Sequence, residues 1–194
     1  IAVLSGLVNK RLVSSMRSAG IPAVGISGID GGVLTGHRGD IELGFVADGL
    51  DVNVELLTTL LGSGYVPVVS PLALDASQAA QTLNVNADTA AGSIAAAIGA
   101  SHLLYLTDVT GVLDSRKRVI EKIGFQEIGS LINSGVVDGG MIPKLESCAK
   151  ACAHGVISHI IDGTQQRAII DCLDHHNMGT TITGSCTDNK LIFC

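Results

Sequence analysis

The sequence predicts an α/β fold with a largely parallel sheet, and three observations carry that prediction. Short apolar runs alternate with helix-period segments along nearly the whole chain, the pattern of strands joined through helices. The apolar material is aliphatic: hydrophobic residues make up 46% of the 194 positions, aromatics only 3%, and Trp is absent. A core of Val, Ile, Leu and Ala suits strands covered on both faces. Twenty-four glycines, well above an average share of ~7%, supply the tight turns between strand and helix.

The elements follow in order. Residues 2–19 read as a helix with Leu4, Leu7, Val8, Leu12 and Met16 near one face, stopped by Gly20. "IPAVGIS" (21–27) is a buried strand, and "GIDGGVLTGHRGD" (28–40) is dense in turn residues and marks a hairpin excursion. "IELGFVADG" (41–49) alternates as a half-wet strand, "DVNVELLTTLLGSG" (51–64) is a helix ending on Gly, and "YVPVVSPLAL" (65–74) is a strand. A loop (75–82) leads to "LNVNADTAAGSIAAAIGA" (83–100), a short extended piece followed by a buried helix of small residues. "SHLLYLTDVTGVLD" (101–114) is a strand that breaks into a polar turn, and "SRKRVIEKI" (115–123) is a charged excursion. Helices are expected over 124–135, 139–155 and 164–176, with strands at 156–163 and 179–184; Pro143 is tolerable in the first turn of its helix. Residues 1–186 form one expected domain and 187–194 a tail without periodic support.

Charge and composition narrow the function. A net charge of −6 without a run of Lys or Arg argues against nucleic acid as a partner, while a few local cations could still hold a small anion. The apolar stretch 90–106 contains Ala, Gly, Ser and His102, and reads as a helix and a strand rather than a membrane span. The cysteines number five, and Cys148 and Cys152 share a helix face at a spacing that is neither redox nor zinc-ribbon. They read as reduced thiols of a cytoplasmic protein. The histidines show no zinc pattern, and neither a Walker A loop, a dinucleotide fingerprint nor a G-x-S-x-G elbow is present.

In an open α/β sheet, ligands sit at the carboxyl ends of strands against helix N-termini. Three such ends carry polar groups. In "NVNAD", Asn84, Asn86 and Asp88 lie at every second position, so an extended backbone points the two amides to one side. One of them could be a helix cap, since Asn and Asp lead that ranking, but a cap accounts for one residue and not for three in phase. In "YLTDVTGVLD", Thr107 and Asp108 open a turn around Gly111, which serves equally as a plain turn or as part of a nucleotide pocket. In "DGGMIPKLE", Lys144 stands near the start of a helix, where the dipole favours negative charge; an anion held between dipole and ammonium would explain it.

The order of these motifs resembles a known family. "GLVNK", "AVGISGIDG", "GYVPVVSPLAL", "LNVNAD", "LTDVTGVLD", "DGGMIPK", "HIIDG" and "GTTI" follow one another as in the amino acid kinase superfamily, most of all in its acetylglutamate kinases. The resemblance covers about residues 2–184. It implies an open, mainly parallel sheet between helices, ATP and Mg²⁺ as cofactors, and transfer of phosphate to the side-chain carboxylate of N-acetyl-L-glutamate in arginine biosynthesis. By the same resemblance Asn84 binds the acylated amino acid directly, with Asn86 beside it, and Asp88 positions the catalytic lysines. Asp108, Val109, Gly111, Val112 and Leu113 match the nucleotide segment, Val136, Val137, Asp138 and Met141 flank the adenine side, and Lys144 stabilises the phosphoryl in flight. It also implies a homodimer or larger homo-oligomer. The acceptor carboxylate has an ordinary pKa near ~4.3, so it is ionised at neutral pH and no general base is required. Catalysis reduces to alignment and charge stabilisation.

The chain departs from the family pattern at its start. The Lys-x-Gly-Gly phosphate loop, the Gly-Gly-Gly substrate loop and the Gly-Leu-Arg that follows are not present before Ile1. A missing N-terminal segment, and inactivity of the chain by itself, are therefore expected. A kinase for a carrier-linked aminoadipate or glutamate shares the same motifs, and a non-catalytic relative of the fold is the reading from a different class.

Overall fold

A computed structural model describes residues 2–78, 80–174 and 178–184. The chain forms two compact units, one up to Ile98 and one from Gly99.

The first unit opens with a π-helical stretch, Ala2–Val8, that runs into α1 (Asn9–Ser18). The apolar face expected from periodicity is largely wet: Leu7, Val8 and Leu12 are each about half exposed. The single buried residue of α1 is polar. Asn9 donates its side-chain amide to the carbonyls of Ile26 (3.1 Å) and Val68 (2.8 Å), and so ties β1 (Ala23–Ser27) to β4 (Val66–Ser70), its parallel partner. Gly25 permits this approach, because a Cβ there would overlap Asn9 Oδ1.

Between β1 and β4 come the hairpin strands β2 (Leu34–Arg38) and β3 (Ala47–Val52) and helix α2 (Glu55–Gly62). The strand expected over 41–49 lies further along. Asp40 closes a turn at Ile41–Leu43 by accepting the Glu42 N–H, and Gly44 breaks it with φ +77°. The run expected as one strand over 65–74 splits at Pro71, which has no N–H to donate. Its second half, β5 (Leu72–Asp75), joins another sheet of order β3-β2-β5-β6, with β6 at Thr82–Asn84. There β2 and β5 are parallel, whereas β2/β3 and β5/β6 are antiparallel. Helix α3 (Ala87–Ile98) covers the core of this unit: Val33, Leu34, Leu57, Ala73, Val85 and Ala90, flanked by Ile26, Val69, Ile94 and Ile98.

The second unit holds β7 (His102–Thr107), β8 (Lys122–Gly124), α4 (Ile128–Asn133), α5 (Met141–Cys152), β9 (Ile157–Asp162), α6 (Ala168–Leu173) and β10 (Thr180–Thr183). Its sheet has the order β7-β9-β10-β8, with β7/β9 and β8/β10 parallel and β9/β10 antiparallel. The charged excursion is a tight hairpin that returns as β8, a strand the sequence did not announce. Leu145, Cys148, Ala151 and Cys152 form the buried stripe of α5, and burial pushes the Cys152 and Cys172 thiols up. Both therefore stay protonated as small apolar side chains, as expected. Parallel-rich sheets flanked by helices agree with the predicted fold class. The expected tail, Cys186, Cys194 and the His175–His176 pair lie outside the described residues. Among the described residues, no helix is long and apolar enough to cross a membrane.

Candidate functional site

The Asn84–Asp88 segment is built by strict alternation. Leu83 and Val85 are 0% and 3% exposed, while Asn84 and Asn86 face solvent. Two neighbours fix the backbone: the Asn84 N–H donates to Phe45 O (2.7 Å) and the Val85 N–H to Pro71 O (3.1 Å). The two amides thus emerge on one side, as the period of two predicts. Asn86 also has a local task. Its Oδ1 accepts the N–H groups of Asp88 (2.9 Å) and Thr89 (3.1 Å) and caps α3. Asp88 stands in the first turn of α3, where a carboxylate is favoured by the dipole. Asn84 has no capping role, so its side chain is the one that local structure does not explain.

A cavity of about 580 Å³ opens in the second unit, within the usual range for small-molecule sites of roughly 300–1,000 Å³. All nine residues assigned from the family pattern to the nucleotide line it: Asp108, Val109, Gly111, Val112, Leu113, Val136, Val137, Asp138 and Met141. Lys144 lines it too. Leu106, Thr107, Lys117 and Gly140 complete the wall; Thr107 and Gly140 lie in the turn and helix start marked from sequence, whereas Leu106 and Lys117 were not singled out. Asn84, Asn86 and Asp88 belong to the other unit.

Local structure explains why the cavity forms. β7 ends at Thr107, whose hydroxyl accepts the Val109 N–H (3.2 Å) and lies 2.8 Å from Val109 O, turning the chain out of the sheet. Gly111 follows with φ +146°, and a Cβ there would come within 2.8 Å of Thr180 Oγ1. The same hydroxyl accepts the buried Val112 N–H at 2.8 Å, so β10 holds this loop in place. On the opposite wall, the Tyr105 hydroxyl donates to Ser147 Oγ (2.6 Å) and fixes α5 against β7. The first turn of α5 is unusual. Gly140 offers no side-chain cap, the N–H groups of Met141 and Ile142 donate to Asp138 O and Gly139 O (3.2 Å each), and Pro143 has none. The helix start thus combines the positive end of the dipole with the Lys144 ammonium. The lining combines apolar side chains with two lysines and two aspartates.

Outside the cavity, His102 Nδ1 and His159 Nε2 lie 3.1 Å apart with Thr181 Oγ1 at 3.3 Å from the other His159 nitrogen. This pair bridges neighbouring strands. Among the described residues, no cluster of three or more His, Cys, Asp or Glu side chains could hold a metal ion.

The chain matches the amino acid kinase family over residues 2–162. It is 46% identical over 189 residues to the acetylglutamate kinase of Trichormus variabilis, covering 94% of this chain and 63% of that protein. To the acetylglutamate kinase of Dehalococcoides mccartyi it is 41% identical over 187 residues, covering 94% and 69%. Among solved structures, smu.665 from Streptococcus mutans UA159 aligns with a TM-score of 0.81 at 30% identity, over 95% of this chain and 70% of that one. The chain thus spans less than two thirds of the Trichormus relative's length.

Proposed function

The chain belongs to the amino acid kinase family, and from that premise we propose that it acts as an acetylglutamate kinase. ATP would phosphorylate the side-chain carboxylate of N-acetyl-L-glutamate to give N-acetylglutamyl 5-phosphate, a step of arginine biosynthesis in the cytoplasm, carried out by a homodimer or larger homo-oligomer. The observation that supports this best is the cavity in which the whole assigned nucleotide segment meets Lys144.

Each residue then has a role that its setting permits. The apolar wall of Val109, Val112, Leu113, Val136, Val137 and Met141 takes the adenine ring, and Asp108, Gly111 and Asp138 supply polar edges. Lys144 faces the charge that builds on the phosphoryl oxygens, where a fixed cation acts most strongly. Asn84 takes the acylated amino acid, Asn86 supports it while capping α3, and Asp88 orients the lysines of the reaction. Mg²⁺ commonly needs only one or two carboxylates besides nucleotide phosphates, and the cavity offers Asp108 and Asp138. When bound, the ion neutralises phosphate charge. The acceptor is ionised at neutral pH, so these residues need only hold and align.

Two measurements test the reading. Titration calorimetry should detect nucleotide bound to the chain, with N-acetyl-L-glutamate as the second ligand. ADP release from ATP by the protein should depend on N-acetyl-L-glutamate as acceptor. Absence of nucleotide binding would return the fold to a non-catalytic role. Turnover of a carrier-linked acceptor in place of N-acetyl-L-glutamate would redirect the substrate.

A further inference from the structure

We propose that Lys117 is a nucleotide-binding residue that holds the polyphosphate from the hairpin loop; this rests on reading the cavity as a nucleotide site. Three observations lead to it. Lys117 lines the cavity, on a different element from Lys144. Its backbone is left-handed, with φ +62°, one of only two such non-glycine residues among those described. Its side chain makes no hydrogen bond or ion pair among the described residues.

The hairpin around it is otherwise fully engaged. The Asp114 N–H donates to Arg118 O (2.8 Å) and the Lys117 N–H to Asp114 O (2.9 Å). Asp114 Oδ1 accepts the N–H groups of Arg116 and Arg118, and its Oδ2 pairs with the Arg118 guanidinium at 2.8 Å. This is a three-residue loop that closes on a left-handed residue, a position normally given to glycine. Lysine there bears a conformational cost that local structure does not repay. Such an outlier in a ligand cavity points to a ligand. Of a nucleotide's parts, only the phosphates offer an anion to an ammonium, so the charge acts on the phosphate chain and not on base or ribose.

The test is calorimetric titration of ADP and of adenosine into the protein and its Lys117→Ala, Lys117→Arg and Lys117→Gly variants, with thermal melting alongside. Lys117→Ala should weaken ADP about tenfold, the low end for a hydrogen bond to a charged group, and leave adenosine unchanged. Lys117→Arg should recover most of the loss. Lys117→Gly should melt higher than the parent, because glycine relieves the positive φ, yet bind ADP as poorly as Lys117→Ala. ADP affinity unchanged in Lys117→Ala would overturn the proposal and leave the nucleotide reading standing. Equal losses for ADP and adenosine would also overturn it, as a matter of shape rather than charge. If the parent binds neither ligand, both readings fall.

Discussion

The N-termini of α3 and α5 begin with opposite chemistry. α3 is finished locally: Asn86 caps it and Asp88 sits in its first turn. α5 starts on Gly140 without a side-chain cap, has no acid in its first turn, and places Lys144 just inside. One start is built to be stable without help. The other carries a cation where the helix field disfavours one, and faces a cavity. On the proposed function, the difference separates residues that serve the helix from residues left for a ligand, and within "NVNAD" Asn86 does both while Asn84 has no local task.

Substitutions can break that division or sharpen it. The largest effect is expected at Lys144. Lys144→Ala should lower turnover about 10²–10³-fold, the scale of removing one transition-state charge partner, with the melting temperature unchanged or raised. A fall in stability with turnover intact would make it a structural residue. Asp88→Ala comes next and should cost turnover at least tenfold, against a stability loss of about 0.3–1 kcal/mol for the dipole interaction; paired melting and kinetic measurements separate the two. Asn84→Ala should raise the KM for N-acetyl-L-glutamate several-fold, in line with a net hydrogen bond of about 1 kcal/mol, and leave melting alone. Asn86→Ala should raise that KM less than Asn84→Ala does and cost about 1 kcal/mol of α3 stability by chemical denaturation, with partial rescue by Ser.

The smallest effect concerns pH. Hydrogen bonds from the Arg118 and Arg116 backbone and the Arg118 side chain hold the Asp114 carboxyl below its ordinary 3.8, against the opposing pull of desolvation. A depressed pKa contributes stability above the unfolded value, and that contribution is lost as pH falls through the folded value. The hairpin should therefore loosen only below about pH 4, visible as faster amide exchange over 114–118, and Asp114→Asn should remove this acid dependence.

What could be read from the sequence was whatever had a period or a spacing. The alternation at 84–86 put both amides on one side, and the structure has them exposed with Leu83 and Val85 buried. The nine residues of the nucleotide pattern, spread over two loops, do line one cavity. Three features resisted. Periodicity marked Leu7, Val8 and Leu12 as a buried face of α1, but the contact is made by Asn9, and a polar anchor leaves no hydrophobic signal. Pro71 ended a run that looked continuous, because which sheet a strand joins is decided by partners remote in sequence. Lys117 lay in a stretch whose only visible property was charge. Its place in the cavity wall depends on Asp114 closing a hairpin, and its left-handed backbone is invisible in the letters Ser-Arg-Lys-Arg.

One consequence concerns the order of synthesis. The loop around Gly111 is pinned by the Thr180 hydroxyl, which receives the Val112 N–H from 68 residues away, and Thr180 is itself fully buried. A growing chain that has released β7, α5 and β9 has the Ile120 N–H on Val112 O but still lacks the acceptor for the Val112 N–H. That acceptor arrives only when the last described strand slots between β9 and β8. A nascent chain paused before Thr180 would hold every residue of this loop while lacking the buried hydroxyl that fixes it.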